Sequence, residues 1–437
     1  MGTYPSLLRI LFQNRPGLKE QPGGDSVVMD NHKKYLESQG HFVDVNSNAQ
    51  CDLTAYDIVH LFNLTLPALT DPFAQNAVKQ TKPFVVTSLQ EDFPLYINKC
   101  IVVMQLFQMY LQNGQKKDVW KKGMDFIAQS PPAPCELTTS PFAIEYADRL
   151  LTCGDTEAAF IKSRFPKAKC ESVFFGSTIK DSSVGPELFR EQFETSEFVL
   201  CVGRIEMRKN QLMLLKALED DDITLVFADG GFSYQPGYVD MCKNFKRKGK
   251  TIFTGRLSGD MLISAFRAAA VHCLPSWYEL PGLVTLEAAR YGSRIVVSSW
   301  GAIGDYMKDT VTYCQPDSSE SIRQAIFTAT AKPNDTKQKE LGSSFTWEKS
   351  GEHLVSVYQD VIRQYDALAM KIKAQSSTID EPLNAVDFLQ RVTNFVETQK
   401  SKDAFAYYDK YRPRFRHMQD LEKFDALILQ LKSKTRL

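Results

Sequence analysis

The chain has 437 residues, with 52 Lys+Arg against 52 Asp+Glu, 43% apolar and 24% charged residues. That length suits two or three domains, and the composition is that of a globular protein with a sizeable core. A net charge of zero argues against a nucleic-acid binder that relies on bulk positive charge. No run approaches the roughly 18 apolar residues that a membrane helix needs. The opening stretch MGTYPSLLRILFQNRPG has too short an apolar run for a secretory signal. Its Met1-Gly2 with Ser6 fits only a loose acylation pattern.

In chain order, Leu7–Gln13 reads as a strand. The turn Pro22-Gly23-Gly24-Asp25-Ser26 then caps a helix through Asp25 or Ser26. Val27, Val28, Tyr35 and Leu36 share one face of that helix, which stops at Gly40. Phe42–Val45, Asp57–Phe62 and Pro83–Thr87 are further strands, and Val102–Leu111 and Ser140–Leu151 read as helices. Alternating strands and helices imply parallel β-α-β units.

The pattern restarts after the polar stretch Lys180-Asp181-Ser182-Ser183. Glu197–Val202, Ile223–Ala228, Thr251–Thr254, Val271–Leu274 and Arg294–Val297 are short and nearly all apolar, as strands covered on both faces must be. Phe345–Ile372 reads as helical, as do Ala385–Lys400 and Asp403–Lys434 with Pro413 interrupting. The fold expected is α/β, with two parallel-sheet domains over 1–190 and 191–345, helices over 346–374, and a helical extension over 375–437.

The nine cysteines form no C-x-x-C pair, and the six histidines form no H-x-H or H-E-x-x-H. Neither a disulfide framework nor a structural metal is expected, which suits a reducing, cytoplasmic compartment.

Three segments sit at C-terminal ends of strands, where ligands bind in open α/β sheets. GRIEMRKN places Arg204 and Lys209 after Gly203, a fork of donors and a point charge suited to one anion. In SWYELPGLVTLEAA, Glu279 and Glu287 are eight residues apart around Pro281-Gly282. Glu279 then projects from the loop before a helix and Glu287 lies between one and two turns in. The first amides, at Gly282, Leu283 and Val284, make an anion site. SWGAIGD, ending at Asp305, is a glycine turn that lets backbone approach a ligand.

Residues Val199 to about Asp305 resemble the retaining, nucleotide-sugar-dependent glycosyltransferases of family 4. The pieces that match are GRIEMRKN, TGRL, ELPGLVTLEAA and SSWGAIGD. The resemblance is weaker but collinear over 7–180 and absent beyond about 375. It implies the GT-B fold, with two Rossmann-like domains facing a central cleft. It implies that Arg204 and Lys209 hold the donor diphosphate, that Glu287 meets the ribose and that Glu279 meets the transferred sugar. Amides near Gly282 and Leu283 would cradle phosphate or sugar, Arg256 and Leu257 would lie near the base, and Gly23 and Gly24 would face the diphosphate across the cleft.

The family's T-x-H-D histidine is missing from Val86–Asp92, so His60, at a neighbouring strand end, is the substitute candidate in catalysis, with Glu91 and Asp92 as acceptor-side alternatives. Asp305 stands where the family carries a glutamate.

The activity implied is sugar transfer with retention from a UDP- or GDP-sugar to a hydroxyl of a glycan or lipid-linked glycan, with no cofactor or metal. The expected location is the cytoplasm, at the inner face of a membrane. The C-terminal helices and the basic cluster Lys243–Lys250 are the candidate surfaces for a membrane or protein partner. Two other readings are a glycoside phosphorylase or hydrolase using the two glutamates, and a non-catalytic scaffold that binds a partner through the C-terminal helices.

Overall fold

The computed structural model describes residues 7–375 apart from 19, 22, 131–133, 178–181, 232 and 334–335, with backbone alone over 366–375. In the tail it describes 388–389, 391–392, 407–410, 412 and 425. The chain divides into two compact units, Met1–Tyr358 and Gln359–Leu437.

The first unit holds two six-stranded sheets in which every strand pairing is parallel. In chain order the first half runs β1 (Arg9–Gln13), α1 (Gly24–Ser38), β2 (Phe42–Val45), β3 (Ile58–Phe62), α2 (Pro67–Lys79) and β4 (Phe84–Thr87). It continues with α3 (Phe93–Gln112), α4 (Lys117–Gln129), α5 (Pro141–Tyr146), β5 (Arg149–Thr152), α6 (Asp155–Arg164) and β6 (Cys170–Ser172). The second half runs α7 (Glu187–Phe193), β7 (Phe198–Val202), α8 (Gln211–Ala217), β8 (Thr224–Ala228), α9 (Pro236–Asn244), β9 (Thr251–Phe253), α10 (Gly259–Ala268) and β10 (Val271–Leu274). Then come α11 (Leu283–Arg290), β11 (Ile295–Ser298), α12 (Ile303–Met307), β12 (Thr312–Cys314), α13 (Ser319–Ala331), α14 (Thr336–Ser344) and α15 (Trp347–Gln375).

The strand order is β2-β1-β3-β4-β5-β6 in the first sheet and β12-β11-β10-β7-β8-β9 in the second. Each order reverses once, between β1 and β3 and between β7 and β10. A crevice opens at such a reversal, outside the carboxyl ends of the strands. The central strands are buried on both faces, all five residues of β3 and all four of β10, because helices cover both sides.

The expected strands are present, with ends moved by one or two residues. One element needs correction. Ser140–Leu151 is not one helix: α5 ends at Tyr146 and β5 begins at Arg149. Asp148 between them docks on β4, its carboxylate accepting from the Phe84 amide at 2.9 Å and its own amide donating to the Phe84 carbonyl.

Helix α7 packs on the second half. The Phe189 amide donates to Ser264 Oγ at 2.9 Å, and Arg267 donates to the Ser182 carbonyl. The first turns of α15 pack on the first sheet. Ser350 Oγ meets His32 Nε2 at 2.9 Å, and Trp347 stacks on Phe175. Gly351 lies flat on the Tyr35 ring, where a Cβ would fall 2.1 Å from Tyr35 Cδ1.

In the second unit Phe388 stacks on Tyr407 and Tyr408, and Arg412 pairs with Asp425. Beyond these residues, the helices expected over 385–400 and 403–434 lie outside the described residues. Among the described residues no helix is long and apolar enough to cross a membrane.

Candidate active site

Strand β7 ends at Val202, and Gly203 turns the chain with φ +145°, a region that favours glycine. A 3-10 turn over Met207–Lys209 follows, closed by Asn210 at φ +63°. Asn210 is fully buried, and its side-chain amide donates to the carbonyls of Pro275 (2.9 Å) and Pro316 (2.7 Å). This pins the cationic loop to the end of β10. The Trp277 amide adds a bond to the Arg208 carbonyl at 2.8 Å. The loops after β7 and β10 flank the reversal in strand order and are held there as one piece.

Glu279 stands at the centre, 6% exposed. Lys209 Nζ lies 2.5 and 3.0 Å from its two carboxylate oxygens, and Arg208 donates to it at 3.0 Å. Burial alone would raise the Glu279 pKa, but the charges of Lys209 and Arg208 outweigh it and hold the group below its usual range. Arg208 also pairs with Glu206 at 3.3 Å and with Glu91 of the first half at 3.7 Å. Its guanidinium is desolvated, and the three carboxylates around it more than compensate, keeping it firmly protonated. Tyr96 Oη donates to Glu91, and the Tyr96 ring stacks on Tyr278 at 5.8 Å. The site thus joins both halves.

The backbone of Glu279 is fixed by the glycine turn after β11. The Ala302 amide donates to the Glu279 carbonyl at 2.8 Å, and a Cβ on Gly301, whose φ is +115°, would fall 2.0 Å from that oxygen. Gly282 has φ +58° and caps α11. The amides of Leu283 and Val284 therefore open the helix beside Glu279, with the positive end of its dipole toward the site. Glu287 is the fifth residue of α11 and is 8% exposed.

Arg204 takes a different place from Lys209. It pairs with Glu206 at 3.3 Å and lies over the Tyr234 ring at 5.5 Å. Lys209 and Arg208 meet on Glu279, while Arg204 stands apart on Glu206 and Tyr234. Gly230 approaches Arg204, and Gly231 approaches Arg256, so the turn after β8 separates the two arginines. Leu257 follows Arg256 in the loop after β9.

Gly23 precedes α1 and its amide donates to Ser26 Oγ at 2.9 Å; a Cβ on Gly24 would meet open space. The loop before them is braced by the Arg15–Asp25 pair at 2.8 Å and reaches Tyr234 through Gln21 at 3.4 Å. The loop before the glycine turn is thus linked through Gln21 to Tyr234, the ring beneath Arg204.

His60 is a correction. It is fully buried in the middle of β3, with Nδ1 on Tyr358 Oη at 2.5 Å, Nε2 on Thr87 Oγ1 at 2.7 Å, and its ring stacked on Phe62 at 4.3 Å. Nδ1 ties α15 to the first sheet and Nε2 ties β3 to β4, and burial pushes its pKa well down.

The residues missed from sequence are Arg208, Glu206, Tyr234 and Gln235, whose Oε1 accepts from the Met207 amide at 2.6 Å. Arg208 had a signal, as the third cation of GRIEMRKN. The others had none.

Residues 187–342 match the family described as Glycosyl transferases group 1. An uncharacterized glycosyltransferase of Methanocaldococcus jannaschii is 28% identical over 179 residues, 38% of this chain and 45% of that protein. A glycogen synthase of Mycobacterium tuberculosis is 26% identical over 228 residues, 49% of this chain and 55% of that protein. The chain spans about half the length of these curated relatives. Among solved structures, sucrose-phosphate synthase from Thermosynechococcus elongatus superposes with a TM-score of 0.56 at 16% identity, over 82% of this chain and 100% of that one. The Anabaena protein HepE in complex with UDP-glucose gives 0.51 at 16% identity, over 82% and 100%. The fold is that of these two-domain α/β, GT-B proteins, and the group 1 match covers the half that carries Lys209, Glu279 and Glu287.

Proposed function

We propose that this chain, whose second half matches the group 1 glycosyltransferases, is a retaining, nucleotide-sugar-dependent hexosyltransferase. The observation that carries the reading is the convergence of Lys209 and Arg208 on buried Glu279, at the strand-order reversal and beside the start of α11. A donor diphosphate would draw on Lys209, Arg204 and the amides of Gly282 and Leu283. Glu279 would then turn its carboxylate to hydroxyls of the transferred sugar, and Glu287 would accept from the ribose. Arg256 and Leu257 would border the base, and Gly23 and Gly24 would close over the phosphates.

As the glycosidic bond breaks, the leaving diphosphate gathers negative charge. Donors already aimed at that charge are commonly the largest catalytic contribution. Lys209, Arg204 and the helix start supply it, so the reaction calls for no cofactor and no divalent cation. The departing phosphate takes the acceptor proton as the acceptor oxygen attacks the same face, which gives retention. Closure of the two halves excludes water and limits hydrolysis.

HepE was solved in complex with UDP-glucose, which makes a UDP-sugar the first donor to try and a GDP-sugar the second. The acceptor is a glycan or lipid-linked glycan at the inner face of a membrane. Two observations support this. Gln115 exchanges two hydrogen bonds with Lys246, joining the basic stretch 243–250 to the α3–α4 hairpin. That hairpin exposes Phe126 (66%) and Met109 (56%) with Lys121 and Lys122, a pattern suited to an anionic bilayer.

The test is thermal unfolding against UDP, GDP, ADP and CMP, followed by turnover of the matching sugar donors. A nucleotide at a hundred times its Kd stabilises by about 2.7 kcal/mol. No shift with any of them would overturn the donor-site reading.

A further inference from the structure

Two threads lead from the first turn of α6 to Glu279 through different residues. On one side, Asp305 of the second half seats on the first half at this turn. Its carboxylate accepts from the Thr156 amide and from Thr156 Oγ1, both at 2.8 Å. The amide is one of the helix-start donors that have no partner within the helix. Tyr306 reinforces the seat. Its hydroxyl donates to the Cys153 carbonyl at 2.5 Å and accepts from the Phe175 amide at 3.0 Å. Asp305 is the third residue of α12, which starts directly after the turn whose Gly301 and Ala302 fix the Glu279 backbone.

On the other side, Glu157 is fully buried one residue further along α6. It accepts from Ser88 Oγ (2.6 Å), the Gln90 amide (2.6 Å) and the Cys153 amide (2.7 Å). The segment it grips contains Leu89 at φ +45°, a backbone state that non-glycine residues hold only where the surroundings enforce it. The next residue is Glu91, which meets Arg208, and Arg208 holds the Glu279 carboxylate. The contacts close a ring: α6, Asp305, the glycine turn, Glu279, Arg208, Glu91, the turn after β4, Glu157, and back to α6.

We propose that the start of α6, Gly154–Glu157, is a positioning hub that couples closure of the two halves to the orientation of Glu279. Asp305 and Glu157 are positioning residues; neither touches the donor. One thread sets the backbone of Glu279 and the other sets its carboxylate. Separating the halves at α6 releases both together. This rests on the glycosyl-transfer reading only where turnover is the measure.

Gly154 offers a probe that leaves both partners chemically intact. Its φ of −175° suits any residue, but a Cβ there would fall 2.4 Å from Asp305 Oδ2. Gly154→Ala therefore pushes Asp305 off its seat without altering the helix backbone. The experiment compares the wild-type chain with Gly154→Ala, Asp305→Ala and the double variant. Each is measured by small-angle scattering, by binding of UDP and GDP, and by turnover of UDP-glucose and GDP-mannose. Thr156→Val, which keeps the amide, is the milder companion should either variant melt non-cooperatively.

The hub predicts a larger radius of gyration in both single variants. It predicts nucleotide affinity within twofold of wild type, because the nucleotide rests on the second half. It predicts kcat lowered at least tenfold with donor KM within threefold, and a double variant no worse than the poorer single one. Unchanged scattering and kcat in both, or losses that multiply, would overturn it. A wild type that binds neither nucleotide would instead overturn the donor-site reading, and the scattering comparison would still decide the hub.

Discussion

In the second half of the first unit, the loops after β7, β9 and β10 carry Arg204, Arg208, Lys209, Arg256 and Glu279, with glycines that bend the backbone around them. In the first half, the polar groups at and after β3 to β5 are mostly turned inward. His60 holds Tyr358, Ser88 and Gln90 hold Glu157, and Asp148 holds β4. The same parallel-sheet plan thus serves two purposes. One half presents charges to a cleft, and the other makes a frame to which those charges are registered. Glu91 and the glycine turn at Gly23 are where the frame reaches the cleft. Substitutions among the second half's charges should therefore strike chemistry, and those in the first half's frame, away from Glu91, the glycine turn and the start of α6, should strike stability alone.

The largest test is Glu279→Ala. It leaves Lys209 and Arg208 without their shared anion in a largely buried site. Removing one partner of a buried pair costs about 3–5 kcal/mol. The lower end is expected, because Arg208 keeps Glu91 and Glu206. Denaturant unfolding should register about 3 kcal/mol, and turnover should fall with it. Loss of turnover with full stability would mean that the pairings do not hold in solution.

Lys209→Ala comes next. One donor aimed at a developing charge is worth about 2.7–4 kcal/mol, or a hundred- to a thousandfold in kcat. Arg208→Ala should cost less in kcat and more in interdomain order. Equal kcat/KM for wild type and Lys209→Ala would remove lysine from its assigned role.

His60→Phe tests the frame. The ring volume is kept, while two buried hydrogen bonds are lost and Tyr358 Oη and Thr87 Oγ1 are left behind. Such changes cost about 2–3 kcal/mol. The melting temperature should fall while kcat/KM of the folded protein stays within about threefold, a change on the order of 0.6 kcal/mol. A hundredfold loss of kcat at unchanged stability would restore His60 to catalysis and break the division between the halves.

How far the site could be read in the sequence follows the same division. The strands of the second half are short apolar runs bounded by glycine and charge, so burial on both faces wrote them plainly. Of the three strands that escaped, β6 and β12 are three-residue edge strands that are mostly half-buried or exposed, with no apolar run to show. Helix α4 fully buries only Ile127, and its apolar face is short, with Trp120 packed on Phe107 and Tyr110 of α3. In Ser140–Leu151 the apolar residues run through a helix and a strand alike, and what divides them is Asp148 docking on Phe84, a contact 64 residues distant. The cations and both glutamates were legible because GRIEMRKN and the eight-residue spacing of Glu279 and Glu287 around Pro281-Gly282 resemble a known family. Their pairings were not. Three cations lie within six residues, and which two meet Glu279 depends on the 3-10 turn and on Asn210, whose partners Pro275 and Pro316 are far away in sequence. The histidine of β3 misleads because a strand end and a strand centre differ by two residues, and only the register shows which is which.

The smallest effect per step is the one that acid reveals. His32 and His272 are fully buried, and burial holds both near a pKa of about 3 against a usual 6.5; His60 is displaced in the same direction. Folded, they stay neutral over a range where the unfolded chain binds protons. Stability should therefore be flat above about pH 6.5 and fall as the pH drops toward 3, by up to about 1.4 kcal/mol per pH unit for each histidine. Glu279 acts later and adds to the loss. Its folded pKa is depressed below 4.5, so the stability it contributes is present above that value and disappears as the pH falls through the folded pKa. Two of the three histidines, His32 and His60, lie in the first half, and both bind the first turns of α15. Unfolding followed from pH 7 to 4 should therefore weaken most steeply where α15 meets the first sheet. Hydrogen exchange in α1 and β3 should rise before exchange in β7 and β10. His32→Gln, which keeps a polar group for Ser350 without a titrating ring, should flatten the pH dependence by about one proton's worth. An unchanged slope in that variant would mean that the frame does not draw its acid sensitivity from this face.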